Sequence, residues 1–464
     1  MQKIPVHQHD PNQVNGKIYV RLTQGFFQNL RRLISGSLML MFFGTVWINL
    51  NDQQIVLFDF FGRRIHLFGL QLSPQDLFLL AGFMIIGAVL LFAMAMAYSR
   101  IWCGFACPQS IWSWLFIRIE TLTEGNRNKR IKLDQGTFSL ELMARRALKH
   151  LLWVLLATLT AITFIGYFVP IREIATDILN LQLSLEMFSW ILIFALLTYI
   201  NAGLTREKVC LHMCPYSRFQ SVMFDEDTRV VSYDKNRGEP RSPSIKAKTA
   251  QQSGDCVDCN LCVHVCPTGI DIRQGLQADC IACGACIDAC DIVMKKLGRK
   301  TGLIRFISSH AEQGKASPLL RPRLIGYLGA IALVSVYLGW EFNNRDQLLI
   351  EVLRDRQNIY RITEAGHICN DYRMIVENVA LNTPDRETVG LKLNLKQKNH
   401  YSLQGPELIE LGQGERSEFN LQVCDNSREG KAADQPGSEP LQFRLSANGE
   451  VWSQTSSFLY PQRY

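Results

Sequence analysis

The sequence predicts a multidomain membrane protein: a five-helix transmembrane domain, a cysteine-rich domain inserted between its fourth and fifth helices, and a C-terminal all-β sandwich. Three observations carry this reading. Five uncharged apolar stretches, Leu33 to Leu50, Leu77 to Tyr98, Leu151 to Val169, Phe188 to Leu204 and Leu324 to Trp340, approach or reach the roughly 17 to 25 residues that a helix needs to cross a hydrocarbon layer. Eight cysteines crowd residues 256–290. After residue 341 the apolar positions recur every second residue, the period of a strand with one buried face.

Charge placement orients the spans. Lys3, Lys17, Arg21, Arg31 and Arg32 precede the first stretch, and nine basic residues stand between the second and third. The connections after the first and third carry only Arg63 with Arg64, and Arg172. This alternation follows the positive-inside rule for five spans with a cytoplasmic N-terminus, and it argues against burying the short fourth and fifth stretches in a soluble core. It makes 1–32 a cytoplasmic tail, 33–204 the first four spans, 205–323 a cytoplasmic domain, 324–340 the fifth span and 341–464 an outer domain. The polar first 32 residues show no cleavable signal pattern, so the first span acts as an uncleaved anchor. The net charge of +7 reflects this topology; no aromatic-basic module accompanies it, which excludes nucleic acid as a partner.

The cytoplasmic domain holds two runs, Cys256-x-x-Cys259-x-x-Cys262-x-x-x-Cys266-Pro267 and Cys280-x-x-Cys283-x-x-Cys286-x-x-x-Cys290. Three cysteines at spacing three supply three thiolates to a cubane, and the fourth of each run crosses to the other cluster in bacterial-type dicluster ferredoxins. The expected sets are Cys256, Cys259, Cys262 and Cys290 for one 4Fe-4S cluster, and Cys280, Cys283, Cys286 and Cys266 for the other. Zinc also takes paired Cys-x-x-Cys units, but two complete runs at this spacing disfavour it, and a reducing compartment disfavours disulfides. Asp291 stands where proline often follows the last cysteine. Asp255, Asp258, Asp279 and Asp288 crowd the loops and read as solvated surface charge in preference to a docking patch for a basic electron donor.

A second cysteine pattern sits beside the spans. Cys103 and Cys107 follow the second apolar stretch, Cys210 and Cys214 the fourth, and Pro108 and Pro215 follow each second cysteine. Proline favours the first helical position, which puts Cys107 and Cys214 at helix starts, where partial positive charge favours a thiolate. Four such sulfurs at the cytoplasmic face suit Cu(I), zinc or another cluster; inert buried cysteine is the alternative that the duplication disfavours. Met94, Met96, Met213 and His212 lie nearby. The first two read as packing, and His212 stays open between a ligand and an interfacial residue. Ile111 to Ile117, rich in aromatics, reads as a helix along the interface with its tryptophans at headgroup depth, seating the first pair. No histidine lies inside any stretch, which removes a transmembrane haem relay and leaves the acceptor at the cytoplasmic edge.

In the outer domain, Val389 to Leu395, Phe419 to Val423 and Leu441 to Leu445 alternate apolar and polar residues around turns such as Asn382 to Asp385 and Gln435 to Gly437, the pattern of a β-sandwich. Cys369 and Cys424 favour a structural disulfide over a metal-binding or free-thiol role.

The ordered combination of spans, two Cys-x-x-x-Cys-Pro units, a dicluster segment and an outer sandwich resembles the CcoG/FixG/RdxA family of cytochrome c oxidase accessory proteins. The resemblance implies a bacterial inner membrane, an immunoglobulin-like C-terminal domain in the periplasm, and reduction of Cu(II) to Cu(I) for a cbb-type oxidase. It further implies the eight ferredoxin cysteines as cluster ligands and Cys103, Cys107, Cys210 and Cys214 as the cysteines that handle metal or electrons. Its partners would be a cytoplasmic electron donor and copper chaperones, a copper transporter or oxidase subunits; self-association stays open. The rival readings are a subunit of a quinone-linked reductase, similar to NapH-type polyferredoxins, and a non-redox assembly scaffold.

Overall fold

A computed structural model describes residues 13–460 apart from 15–16, 51–52, 61–63, 73–75, 138, 242–253, 345–347, 356–358, 365–366, 379–388, 396–400, 412–415, 426–436 and 448–449. Lys3, Arg63 and the turn positions 382–385 and 435–436 lie outside the described residues. The chain divides into two compact units, residues 1–338 and 339–464.

In the first unit, α1 (Phe26–Gly44) begins seven residues before the first apolar stretch, takes in Arg31 and Arg32, and stops where Thr45 turns its hydroxyl back onto the Met41 carbonyl. Four helices among the described residues are long and apolar enough to cross a membrane. They are α2 (Leu77–Tyr98), α6 (Leu140–Ile165), α8 (Leu185–Thr198) with its π-helical continuation to Thr205, and α14 (Pro322–Asn343). Two start on serine caps: Ser139 and Ser184 accept from Leu142 N and Met187 N, each with a glutamate in the first turn, which satisfies an orphan donor and complements the helix dipole. The Ser139 cap starts α6 eleven residues before the apolar stretch, adding about three turns that carry Arg145, Arg146 and Lys149.

Between α2 and α6 lie α3 (Ile101–Phe105), α4 (Pro108–Glu124) and α5 (Arg127–Gln135); α7 (Ile171–Leu179) precedes α8 and α9 (Pro215–Met223) follows it. The cysteine-rich segment is built from α10 (Lys235–Gly238), α11 (Leu261–His264), α12 (Ala285–Lys296) and α13 (Ser309–Glu312), with strands Val230–Tyr233 and Ile304–Ile307 paired antiparallel. It does not hang free from the helices. The last carbonyls of α2, which have no partner within their own helix, are taken up by it: Met96 O accepts from Thr228 Oγ1 (3.0 Å) and Arg321 Nη2 (2.7 Å), and Ala97 O from Arg229 N (3.2 Å). Asp288 caps α1, accepting from Phe27 N (3.2 Å) and Gln28 N (2.8 Å). Asp288 is 5% exposed, so its expected role as surface charge is corrected: a helix start needs its carboxylate.

The second unit, described by itself, is a two-sheet antiparallel β-sandwich. One sheet orders Leu348–Arg354, Ile368–Asn378, Arg416–Asp425 and Tyr401–Gln404, with Arg361–Ile362 on the flank; the other orders Leu408–Leu411, Val389–Leu395, Ser438–Ala447 and Glu450–Leu459. Met374, Val376, Leu421 and Val423 from the first meet Ile409, Leu441, Phe443 and Phe458 from the second in one core. The alternating residues at 421, 423, 441, 443 and 445 all point inward. Cys369 and Cys424 face each other in register on adjacent strands and are bonded, as the sequence favoured.

Candidate electron-transfer site

The two cysteine runs fold alike. In each, the residues on either side of the second cysteine take left-handed backbone: Asp258 and Asn260 around Cys259, Ala282 and Gly284 around Cys283. Glycine alone takes this region without cost. The turns wrap each run around a cavity. One cavity is lined by Cys256, Cys259, Cys262 and Cys290, and the other by Cys266, Cys280, Cys283 and Cys286, with Cys262 bordering both. These are the crossed sets that the spacing implies, because α12 carries Cys290 back to the first run while Cys266 emerges from α11 beside the second. Among the described residues, no three Cys, His, Asp or Glu side chains converge on a point that a single ion would occupy. Four thiols spread around an apolar cavity fit a four-iron body.

The acidic loop residues are largely spoken for. Asp255 pairs with Arg237 (2.5 Å), Asp258 with Arg273 (2.5 Å), and Asp291 accepts from Gly302 N (2.8 Å) inside the continuing α12. Pairing lowers the net negative charge that Asp255 and Asp258 present. Cys259 is the exposed cysteine of the eight, so the 256–262 run is the one that reaches solvent.

The membrane-edge pairs are structural copies. Ser99 and Arg206, each four residues before the first cysteine, both take positive φ (50° and 42°). Cys107 N donates to Trp102 O and Cys214 N to Val209 O, both at 2.9 Å, the five-residue closure of a π turn, a rare geometry common at functional sites. Cys107 and Cys214 then stand at the N-caps of α4 and α9, with Pro108 and Pro215 in the first turn. Each unit reaches into the other. Arg100 donates to the carbonyl of Ser217 in α9, Gln109 Nε2 donates to Asn201 O (2.9 Å) and Arg206 O (3.1 Å), and the Cys103 thiol donates to Gln220 Oε1 (3.4 Å).

This interlocking gathers the four thiols. Burial, with the charges that Cys107, Cys210 and Cys214 would carry, pushes the Cys103 thiol up to about 12 despite nearby Arg100. Burial and the neighbouring Cys107 and Cys214 push Cys210 up to about 11. Both are therefore neutral thiols near neutral pH; the helix-dipole effect expected from the sequence concerns Cys107 and Cys214, which stand at the helix starts. His212 and Met213 are exposed.

Gly104 links the two cysteine systems. A Cβ at this position would fall 2.7 Å from Ile281 O and 2.9 Å from Cys283 Cα, so only glycine lets α3 lie against the second cluster's loop. Cys103 packs there with Val265, Ile281, Cys283, Ala285 and Ala289. Arg100 lies within electrostatic reach of Cys103, Cys210 and Cys280, bridging both groups.

The stretch Ile111 to Ile117 is helical within α4, as expected, but one of its two tryptophans serves the protein interior. Trp112 turns inward, edge-on to Phe42 at 5.4 Å, with its indole N–H on Thr160 of α6 (3.0 Å), because α6 offers a buried hydroxyl for it. Glu120, fully buried, holds Arg130 (2.7 Å) and Arg206 (2.8 Å), with Lys17 at 3.6 Å. Burial alone would push its carboxyl up; Arg206, Lys17 and Arg130 more than offset that and hold it at about 2. Sequence reading missed this charge cluster, since its members stand 10 to 189 positions apart in the chain and meet only in the fold.

Comparison with known proteins agrees with this architecture. A family profile described as a 4Fe-4S dicluster domain matches residues 205–309, and one described as an IG-like fold at the C-terminal of FixG matches residues 338–461. "Nitrogen fixation protein FixG" of Rhizobium meliloti is 35% identical over 416 residues, 81% of this chain and 79% of that protein. "Protein RdxA" of Cereibacter sphaeroides is 35% identical over 380 residues, 78% of this chain and 80% of that protein. A solved FixG-related protein from Vibrio parahaemolyticus covers 25% of this chain and 97% of its own at 22% identity, with a TM-score of 0.21, a likeness too low to bear on the fold. The chain is a membrane iron-sulfur protein with an immunoglobulin-like C-terminal domain.

Proposed function

Because the chain belongs to the FixG/RdxA family, we propose that it reduces Cu(II) to Cu(I) at its membrane edge, in support of assembling a cbb-type cytochrome c oxidase. The carrying observation is the contact of Gly104 and Cys103 with the Cys283 loop. When bound, the two 4Fe-4S clusters supply single electrons at low potential. The chain's own residues do the rest. Exposed Cys259 marks the entry side for a cytoplasmic donor, and the α3 contact holds Cys103 at the exit side. One electron converts Cu(II) to Cu(I), and soft sulfur ligands retain the reduced ion better than the oxidised one. The four thiols lie near one another, and in this reading they receive copper as a passing substrate that a chaperone, transporter or oxidase subunit then takes up.

In this reading α1 serves as the first of five spans of a bacterial inner-membrane protein. The N-terminus and the cluster segment face the cytoplasm and the sandwich faces the periplasm. The disulfide in the second unit and the twelve unbridged cysteines of the first support two redox compartments.

The test is the Cys103→Ser/Cys107→Ser double variant, assayed anaerobically with a Cu(I)-specific chelator after chemical reduction of the protein. Cupric reduction should disappear while the iron content stays at the wild-type level. Undiminished reduction would remove copper chemistry from this site.

A further inference from the structure

Beside the first thiol pair, the bundle holds a cavity of about 560 Å³, within the range of small-molecule sites. It lies between α1, the start of α4, α6 and α8 with its continuation, and part of its wall is Ala106, Pro108 and Gln109, the residues flanking Cys107. Four of its aromatic side chains come in pairs, Phe42 with Trp112 at 5.4 Å and Phe164 with Phe194 at 4.8 Å. Such faces favour a planar ring over a bare alkyl chain.

The polar groups in the wall are few, and most are committed within the protein. Thr160 and Thr198 donate to the carbonyls of Leu156 and Phe194 in their own helices, the Trp112 indole donates to Thr160, and Gln109 donates to Asn201 O and Arg206 O. Asn201 is the remaining polar residue of the lining, and its side chain carries both a donor and an acceptor. α6 and α8 are apolar enough to span the membrane, and Leu197, in the wall, is 48% exposed on that outer surface. A ligand would therefore enter from lipid.

We propose that this cavity binds a quinone-class lipid, a planar ring bearing two carbonyl or hydroxyl oxygens on an apolar tail. The aromatic pairs suit the ring, the Asn201 amide suits a ring oxygen, and the apolar remainder suits the tail. A phospholipid chain would use only the last of these. The position beside Cys107 sets a membrane-soluble redox compound next to the thiols, and the assignment holds whether or not copper is the metal those thiols handle.

The experiment uses the full chain in phospholipid nanodiscs with a short-tailed benzoquinone, following binding by tryptophan quenching and equilibrium dialysis. Saturable binding near one per chain is expected, with a fatty alcohol of equal length failing to displace it. Leu197→Trp would fill the entrance, and Asn201→Leu would remove the polar contact. Loss of affinity of about tenfold or more in at least one variant, with iron content unchanged, supports the assignment. Equal displacement by the alcohol, non-saturating uptake, or unchanged affinity in both variants overturns it. Cupric reduction measured on the same samples reports separately on the copper reading.

Discussion

A side chain at residue 104 would stand 2.9 Å from the Cα of Cys283 and 2.7 Å from the carbonyl of Ile281, so the absence of a Cβ at Gly104 brings the membrane-edge thiols against the second cluster's loop. Backbone cannot yield as a flexible side chain would. Gly104→Ala should oppose this docking by about 1–3 kcal/mol, although alanine is otherwise favoured in a helix by about 1 kcal/mol. The expected result is slower cupric reduction with full iron content. Gly326→Ala in α14, where nothing lies within 4 Å, is the control and should change neither. Wild-type reduction rates in Gly104→Ala would show that the contact does not carry electrons.

The crossed cavities make the fourth cysteines diagnostic. Cys266→Ser should lose the cluster of the 280–286 run, and Cys290→Ser that of the 256–262 run, each lowering iron by about half. EPR of the reduced variants identifies which signal persists. If each substitution instead removed the cluster of its own run, the ligand sets proposed from the two cavities would be wrong.

Glu120 ties α4 to Arg130 after the bend and to Arg206 at the second cysteine unit. Glu120→Gln leaves these cations buried with a neutral partner and should cost about 3–5 kcal/mol. The carboxyl is held at about 2 in the folded chain, below its usual 4.5, so its contribution is complete above the unfolded value and disappears as pH falls toward 2. Thermal unfolding in detergent should show the wild type losing stability across that acid window and the variant losing less. Parallel acid limbs would exclude Glu120 as the source.

The second unit depends on Cys369–Cys424, which closes 55 positions of chain. Reduction, or substitution of both cysteines by alanine, should cost about 2–4 kcal/mol and lower the unfolding midpoint of the sandwich while leaving cluster absorbance unchanged. An unmoved midpoint would mean that the bond adds nothing to the pairing of two central strands.

The two four-cysteine runs, four of the apolar helices and the alternating strands could all be read directly from the sequence, because each is a local pattern: fixed thiol spacing, uninterrupted apolar length, period two. Even the helix starts at Cys107 and Cys214 followed from the prolines beside them. The burial of Glu120 among cations from three segments, the cap that Asp288 supplies to α1, and the inward turn of Trp112 had no such local mark. Each depends on which surfaces meet, and contact between residues far apart in the chain is set only when packing closes. The same holds for the central relation. The motif spelled Cys-Gly-Phe-Ala-Cys announces its sulfurs, but the need for glycine there arises only when the 281–283 backbone arrives within van der Waals reach.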